Sequence, residues 1–129
     1  LYDRYPAGEH YDVIIADEAQ FCTPEQIDQL RQIVDEADLP VLCFGLRTDF
    51  LTHLFPGSRR LMELADSITE IKTVCACGSK ATVNARLDAS GTILTTGSQV
   101  FLGGNYSDVA MCHRCWRKKI QAQQKSNLN

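Results

Sequence analysis

Four of the six cysteines fall in two close pairs, Cys75/Cys77 and Cys112/Cys115. Zinc takes four thiolate or imidazole ligands in a tetrahedron, and two such pairs joined by a long excursion of chain can supply them. Cys112-His113-Arg114-Cys115 has the C-x-x-C spacing of metal ligands, whereas Cys75-Ala76-Cys77 is tighter than the usual C-x(2–4)-C, so the weight rests on the pairs jointly. His113 lies inside the second pair and is read as exposed. A site closed by four protein ligands leaves no position for substrate or water, so its expected role is in folding. The plain alternative is four reduced thiols, or a disulfide between the pairs. Cys22 and Cys43 fall within or beside apolar, core-like stretches.

A second constellation is Asp17-Glu18, directly after the apolar run Tyr11-Asp12-Val13-Ile14-Ile15-Ala16. At the tip of a buried strand, one carboxylate can organise Mg²⁺ while its neighbour handles a nucleophile, as in a Walker B strand. An acidic pair after an apolar run also simply opens a solvated loop, and the pair alone does not decide. Gln20-Phe21 adds a polar anchor and an aromatic face beside the carboxylates. Phosphoryl transfer needs a phosphate cradle as well, and no G-x-x-x-x-G-K-[S/T] loop occurs in these residues. In a P-loop enzyme that cradle would lie upstream of Leu1.

The elements that must position these groups can be read from period and punctuation. Residues 11–16 are β-branched and almost continuously apolar, as in a strand buried on both faces of a parallel sheet. Thr23 as N-cap, Pro24 at the first helical position and Gln26 make a capping box, followed by the stripe Ile27, Leu30, Ile33, Val34 and Ala37. After Pro40, residues 41–46 read as a second buried strand, which makes 11–46 one βαβ crossover. Ligands of such sheets bind at the carboxyl ends of the strands, where Asp17-Glu18 and Leu46 to Phe50 lie. Phe55-Pro56-Gly57 reads as a turn, Ser58 as the cap of a short helix through Asp66, and 67–74 as a strand on its β-branched content.

Beyond Gly78, Ala81, Val83, Ala85 and Leu87 alternate with polar residues, the pattern of a half-exposed strand. Ala89-Ser90-Gly91 turns the chain, Gln99 to Leu102 reads as the return, and Gly103-Gly104-Asn105 breaks it. Trp116 to Gln124 favours a helix and Lys125 to Asn129 a frayed end. This organisation divides the chain into an α/β part over 1–73, a zinc-binding lobe over 74–120 and a flexible tail over 121–129.

At 129 residues, with 44% hydrophobic and 22% charged, the chain has the balance of a globular protein. No apolar run nears the ~20 residues that span a bilayer, which argues against a membrane partner. A net charge of −3 argues against nucleic acid as the main partner, although Arg114, Arg117, Lys118 and Lys119 cluster late. The start at Leu1, with neither Met nor a signal pattern, is that of a segment of something longer, and the cysteine usage is that of a cytoplasmic protein.

Taken in order, Asp17-Glu18-Ala19-Gln20-Phe21, Cys43-Phe44-Gly45-Leu46-Arg47-Thr48-Asp49-Phe50, Cys75-Ala76-Cys77-Gly78, Arg86-Leu87-Asp88, Gly103-Gly104-Asn105 and the last cysteine pair resemble the type II thymidine kinases. The C-x-C pair and the long loop resemble the bacterial subgroup more than the animal enzymes. The resemblance runs from about residue 11 to 119. It implies a truncated P-loop NTPase (RecA-like) parallel sheet with an appended zinc-ribbon "lasso" lobe. It also implies transfer of the γ-phosphoryl of ATP to the 5′-hydroxyl of thymidine or deoxyuridine with Mg²⁺, in a homo-oligomer that is typically a tetramer.

Carried over by position, the resemblance implies that Asp17 helps to order magnesium and that Glu18 is the general base. Gln20 and Phe21 would lie near the nucleoside, Leu46, Phe50 and Phe55 would wall the base, and Gln99, Val100, Phe101, Leu102 and Gly103 would form the loop that reads thymine, with Arg86 in the supporting strand. Phe50 and Phe55 also fit as ordinary core residues. One departure stands out: the family usually has a tyrosine four residues after the paired glycines, where this chain has Asp108, with Tyr106 two positions earlier. Either Tyr106 substitutes or the pocket differs. Without the cradle the segment is expected to be inactive. The competing readings are a zinc-ribbon nucleic-acid-binding module, which the acidic balance opposes, and another P-loop ATPase with a zinc insert.

Overall fold

The computed structural model describes residues 10–100 and 104–127. The chain divides into two compact units: residues up to Arg47 together with Leu54–Ile68, and Thr48–His53 together with residues from Thr69 onward. The short segment Thr48–His53, read from sequence as part of the sheet domain, thus clusters with the cysteine-bearing residues.

In the first unit the capping box forms as expected: Gln26 N donates to Thr23 Oγ1 at 3.1 Å and Thr23 N donates to Gln26 Oε1 at 3.0 Å. It starts helix α1, Pro24–Ala37, which Asp38 ends in the left-handed conformation. The stripe buries Ile27, Leu30 and Ile33, which cluster with Leu39. Burial of each such side chain stabilises the fold by about 1.5–3 kcal/mol. Val34 is half-buried, and Ala37, in the last turn, is exposed.

Strands β1, Ile14–Ala16, and β2, Val41–Cys43, pair in parallel with Ile14 opposite Val41 and Ala16 opposite Cys43, so the βαβ crossover is present. Both strands are shorter than expected, and they are not buried on both faces. Ile14, Ala16, Val41 and Cys43 pack on the α1 core, while Ile15 is 63% exposed and Leu42, its cross-strand partner, 49%. The sheet is two-stranded with helix on one side only among the described residues, so alternate side chains have nothing to bury against.

Helix α2, Pro56–Leu64, replaces the turn expected at Phe55-Pro56-Gly57. Pro56 occupies the first helical turn and Phe55 is the N-cap; Ser58 does not cap, but donates from Oγ to Leu46 O at 2.5 Å. Gly57 is required by a close approach, because a Cβ there would run into the backbone oxygens of Cys22, Gln20 and Ala19. Arg60 of α2 pairs with Asp28 of α1 at 2.7 Å.

In the second unit the main element is an antiparallel pair, β5 (Val83–Leu87) with β6 (Ser107–Met111), the latter a strand the sequence reading missed. The return expected at Gln99 to Leu102 is not the partner of β5: Gln99 and Val100 lie in a bend, and Phe101 and Leu102 fall outside the described residues. Strands β3, Thr73–Val74, and β4, Lys80–Ala81, form a second small pair, so the strand expected over 67–74 shrinks to its end. Val83 and Ala85 point inward, as the alternation predicts, and Ile93 is buried with them.

Helix α3, His113–Asn127, begins earlier and runs further than expected, so residues 125–127 are helical. Its Gln123 amide clamps Ile93, accepting from Ile93 N at 2.7 Å and donating to Ile93 O at 3.2 Å. No helix among the described residues is long and apolar enough to cross a membrane.

Candidate functional site

At the end of β1 the chain turns sharply: Glu18 sits at φ 51°, ψ 40°, in the left-handed region, and its N–H is taken by Asp17 Oδ1 at 2.9 Å. A non-glycine residue there costs about 1–2 kcal/mol, so the surroundings must hold it. Gln20, 2% exposed, does so. Its Nε2 donates to Glu18 Oε2 at 2.6 Å while its Oε1 accepts the N–H of Leu46 at 3.2 Å, so one buried amide bridges the ends of both parallel strands. Gly45 leaves room for it, since a Cβ at that position would lie 2.5 Å from Gln20 Oε1.

Phe21 is 53% exposed and meets the buried Phe55 ring edge-on at 5.6 Å and 84°. The first unit therefore gathers Asp17, Glu18, Gln20, Phe21, Leu46 and Phe55. Phe50, grouped with them in the sequence reading, belongs to the second unit and is buried there.

The second unit brings the four paired cysteines together. The sulfurs of Cys75, Cys77, Cys112 and Cys115 all lie within 4.8 Å of one another, with Cys77 and Cys112 at 3.7 Å. Four thiolates around one zinc at ~2.3 Å would stand ~3.8 Å apart, so the cluster fits such an ion. Two tight turns build it. Gly78, at φ 93°, donates its N–H to Cys75 O at 2.8 Å, and Cys75 N donates to Ser79 O at 2.7 Å. On the other side Cys112 O receives Trp116 N at 3.1 Å, which starts α3 and carries Cys115 back to the cluster. His113 stays exposed, its ring against Trp116 at 5.4 Å, and is not in the cysteine group.

The cluster is electrostatically unbalanced. The side chain and backbone of Ser79 pull the Cys77 thiol down to about 6, while the sulfurs of Cys112, Cys77 and Cys75 push Cys115 up to about 12. Four adjacent thiols cannot all ionise without a compensating cation, and a metal ion such as zinc could supply that charge.

The β5/β6 surface carries the remaining sequence-predicted groups. Arg86 and Asp108 are cross-strand partners, with Nε to Oδ1 at 2.8 Å and the Arg86 guanidinium 5.5 Å above the Phe50 ring. Asp108 thus engages a neighbouring strand. Tyr106 is 43% exposed, and its ring lies over Gly104, where a Cβ would meet it at 2.5 Å. Val100 N donates to Ser98 Oγ at 3.2 Å in the bend before the undescribed Phe101, Leu102 and Gly103.

The family model for thymidine kinase matches residues 2–116. The chain belongs to the thymidine kinase family. It is 51% identical over 120 residues to the thymidine kinase of Yersinia pseudotuberculosis, covering 90% of this chain and 61% of that protein. It is 51% identical over 118 residues to that of Ruegeria pomeroyi, covering 92% of this chain and 59% of the relative. The thymidine kinase of Legionella pneumophila strain Lens is 49% identical over 108 residues, with 84% and 52% covered. The chain spans about six tenths of the length of the first two of these relatives.

Within this thymidine kinase family chain, two polar residues escaped the sequence reading. Asp49, 4% exposed, accepts Gln99 Nε2 on Oδ2 at 2.8 Å, and Asn84 donates from Nδ2 to Thr48 O at 3.1 Å. Neither contact has a local signal, because the partners are 50 and 36 residues apart.

Proposed function

We propose that the longer protein of which these residues are part is a P-loop thymidine kinase that transfers the γ-phosphoryl group of ATP to the 5′-hydroxyl of thymidine or deoxyuridine. The observation that carries this reading is the held carboxylate: Glu18, in a strained backbone conformation at a strand tip, fixed through one oxygen by buried Gln20 at 2.6 Å. A base positioned this way can take the proton of the 5′-hydroxyl as its oxygen bonds to the γ-phosphorus and the bond to the β-phosphate bridging oxygen breaks, releasing ADP. Mg²⁺, when bound, supplies charge neutralisation on the phosphates, and Asp17 is the residue assigned to it.

Exposed Phe21 and Leu46 give apolar surface suited to a pyrimidine ring, buried Phe55 backs Phe21, and Phe50, buried beneath Arg86, is assigned a supporting place behind such a surface. Residues 99–103 are assigned to reading the base edge through main-chain groups, with Tyr106 and Asp108 beside them. The cysteine cluster is assigned a structural zinc, since four sulfurs leave no open position. Reduced thiols suit a cytoplasmic enzyme. The test is ADP formation by the zinc-loaded, full-length protein with thymidine, with deoxyuridine and with neither. Turnover independent of nucleoside would replace the kinase with an ATPase, and no turnover with either nucleoside would remove the reading.

A further inference from the structure

The segment Thr48–His53 is a small, fully specified turn. Asp49 N donates to His53 O at 2.8 Å and Thr52 N donates to Asp49 O at 3.0 Å, with Thr52 at φ 70°. The Asp49 carboxylate then divides its two oxygens. Oδ1 accepts the N–H groups of Leu51 at 2.9 Å and His53 at 3.0 Å, so it belongs to the turn. Oδ2 accepts the side-chain amide of Gln99 at 2.8 Å, so it reaches outside the turn to the bend at 98–100. A carboxylate is acceptor-only, and here three N–H donors meet it in a position 4% exposed. The turn is itself anchored: Asn84 Nδ2 holds Thr48 O, and the Arg86 guanidinium covers the Phe50 ring.

We infer that Asp49 is a positioning residue for the bend at residues 98–100: a carboxylate fixed by its own turn holds Gln99 and so sets the conformation of that bend before nucleoside binds. The inference rests on the kinase reading above and adds to it a residue that touches no reacting atom. Its chemistry favours aspartate over asparagine. An amide at position 49 could keep the two backbone donors on its oxygen, but would then turn an NH₂ toward the Gln99 NH₂. A bend ordered in advance leaves less entropy to be lost when a ligand binds against it, so the contact should act on nucleoside affinity more than on the chemical step.

The arrangement can be tested by exchanging the two roles. In the full-length, zinc-loaded protein, Gln99→Glu sets two carboxylates against each other, and Asp49→Asn combined with Gln99→Glu restores a donor facing an acceptor. Gln99→Glu is expected to raise KM for thymidine by roughly 10- to 100-fold, the span for breaking a buried charge-assisted hydrogen bond. The loss should fall on the thymidine KM more than on kcat, with the KM for ATP within about threefold, the pattern of lost ground-state binding. The double variant should recover most of the thymidine KM, and Gln99→Ala should fall between.

Amide exchange at residues 98–100 should rise in Gln99→Glu and return in the double variant. Wild-type KM and exchange in Gln99→Glu would overturn the inference, as would a double variant no better than the single one at unchanged zinc content. If the wild-type protein shows no nucleoside-dependent turnover, the kinase reading fails, and the exchange comparison still decides whether Asp49 holds the loop.

Discussion

Gln20 touches both strand ends at once, giving Nε2 to Glu18 Oε2 at 2.6 Å and taking the Leu46 N–H on Oε1 at 3.2 Å. The orientation of the candidate base, itself exposed, is therefore tied through buried Gln20 to the spacing of β1 and β2.

Glu18→Gln in the full-length protein is expected to lower kcat by roughly 10²- to 10⁴-fold, the usual effect of a positioned acid–base group. A loose, dissociative transition state asks less of a base and would bring the loss toward the lower end. Steady-state kinetics with thymidine at saturating ATP would measure it, and turnover equal to wild type would remove Glu18 from that role.

Metal removal should loosen the second unit first. A structural zinc contributes about 10–16 kcal/mol of apparent binding energy, comparable with the about 5–15 kcal/mol that holds a typical domain together. Freshly reduced protein is expected to carry one zinc per chain, and chelation to raise hydrogen exchange in β5, β6 and the start of α3 well before α1. Equal loss of protection in both units would mean that the sulfurs are not what fastens the second one.

Gly57→Ala pits two effects against each other. Alanine gains about 1 kcal/mol over glycine in a helix interior. Its Cβ would meet the backbone oxygens of Cys22, Gln20 and Ala19, which cannot rotate away as a side chain could. Overpacking costs about 1–3 kcal/mol, so a net loss of stability is expected, read as a lower Tm. An increase in Tm would show that α2 has room to move.

The turn at 88–92 should respond to acid. Asp88 Oδ1 accepts from Ser90 Oγ at 2.7 Å and from the N–H groups of Ser90 and Thr92, each at 3.0 Å. The Ser90 hydroxyl, then the Thr92 N–H, holds its carboxyl below the usual range. A depressed folded-state value means that the stabilisation is present above the ordinary carboxyl pKa of about 3.9. It is lost as pH falls through the lower folded value. Exchange at the Thr92 amide should stay slow above that range and accelerate beneath it, and Asp88→Ala should remove the dependence.

How far these features could be read in advance follows from their range along the chain. Thr23-Pro24-x-Gln26 and the stripe after it are local, and the helix they specify formed within its expected limits. The cysteine pairs were legible because metal chemistry restricts residue type and spacing. Strand β6 was not: Ser107-Asp108 opens it with polar side chains, and its register exists only through β5. Pro56-Gly57 was ambiguous because proline at the first helical position and proline in a turn look alike. The glycine answered a contact with residues 19–22 that no local pattern records.

The chain visits the second unit at Thr48–His53, returns to the first, and leaves it again after Ile68. Three cuts, after Arg47, His53 and Ile68, would be needed to separate the units, and a truncation at residue 73 would strand Asp49 and Phe50 on the wrong product. Gln99 would then lose its carboxylate acceptor and Arg86 the ring beneath it. Threading of this kind means that no single cut yields either unit whole and alone, a constraint on any exchange of its parts.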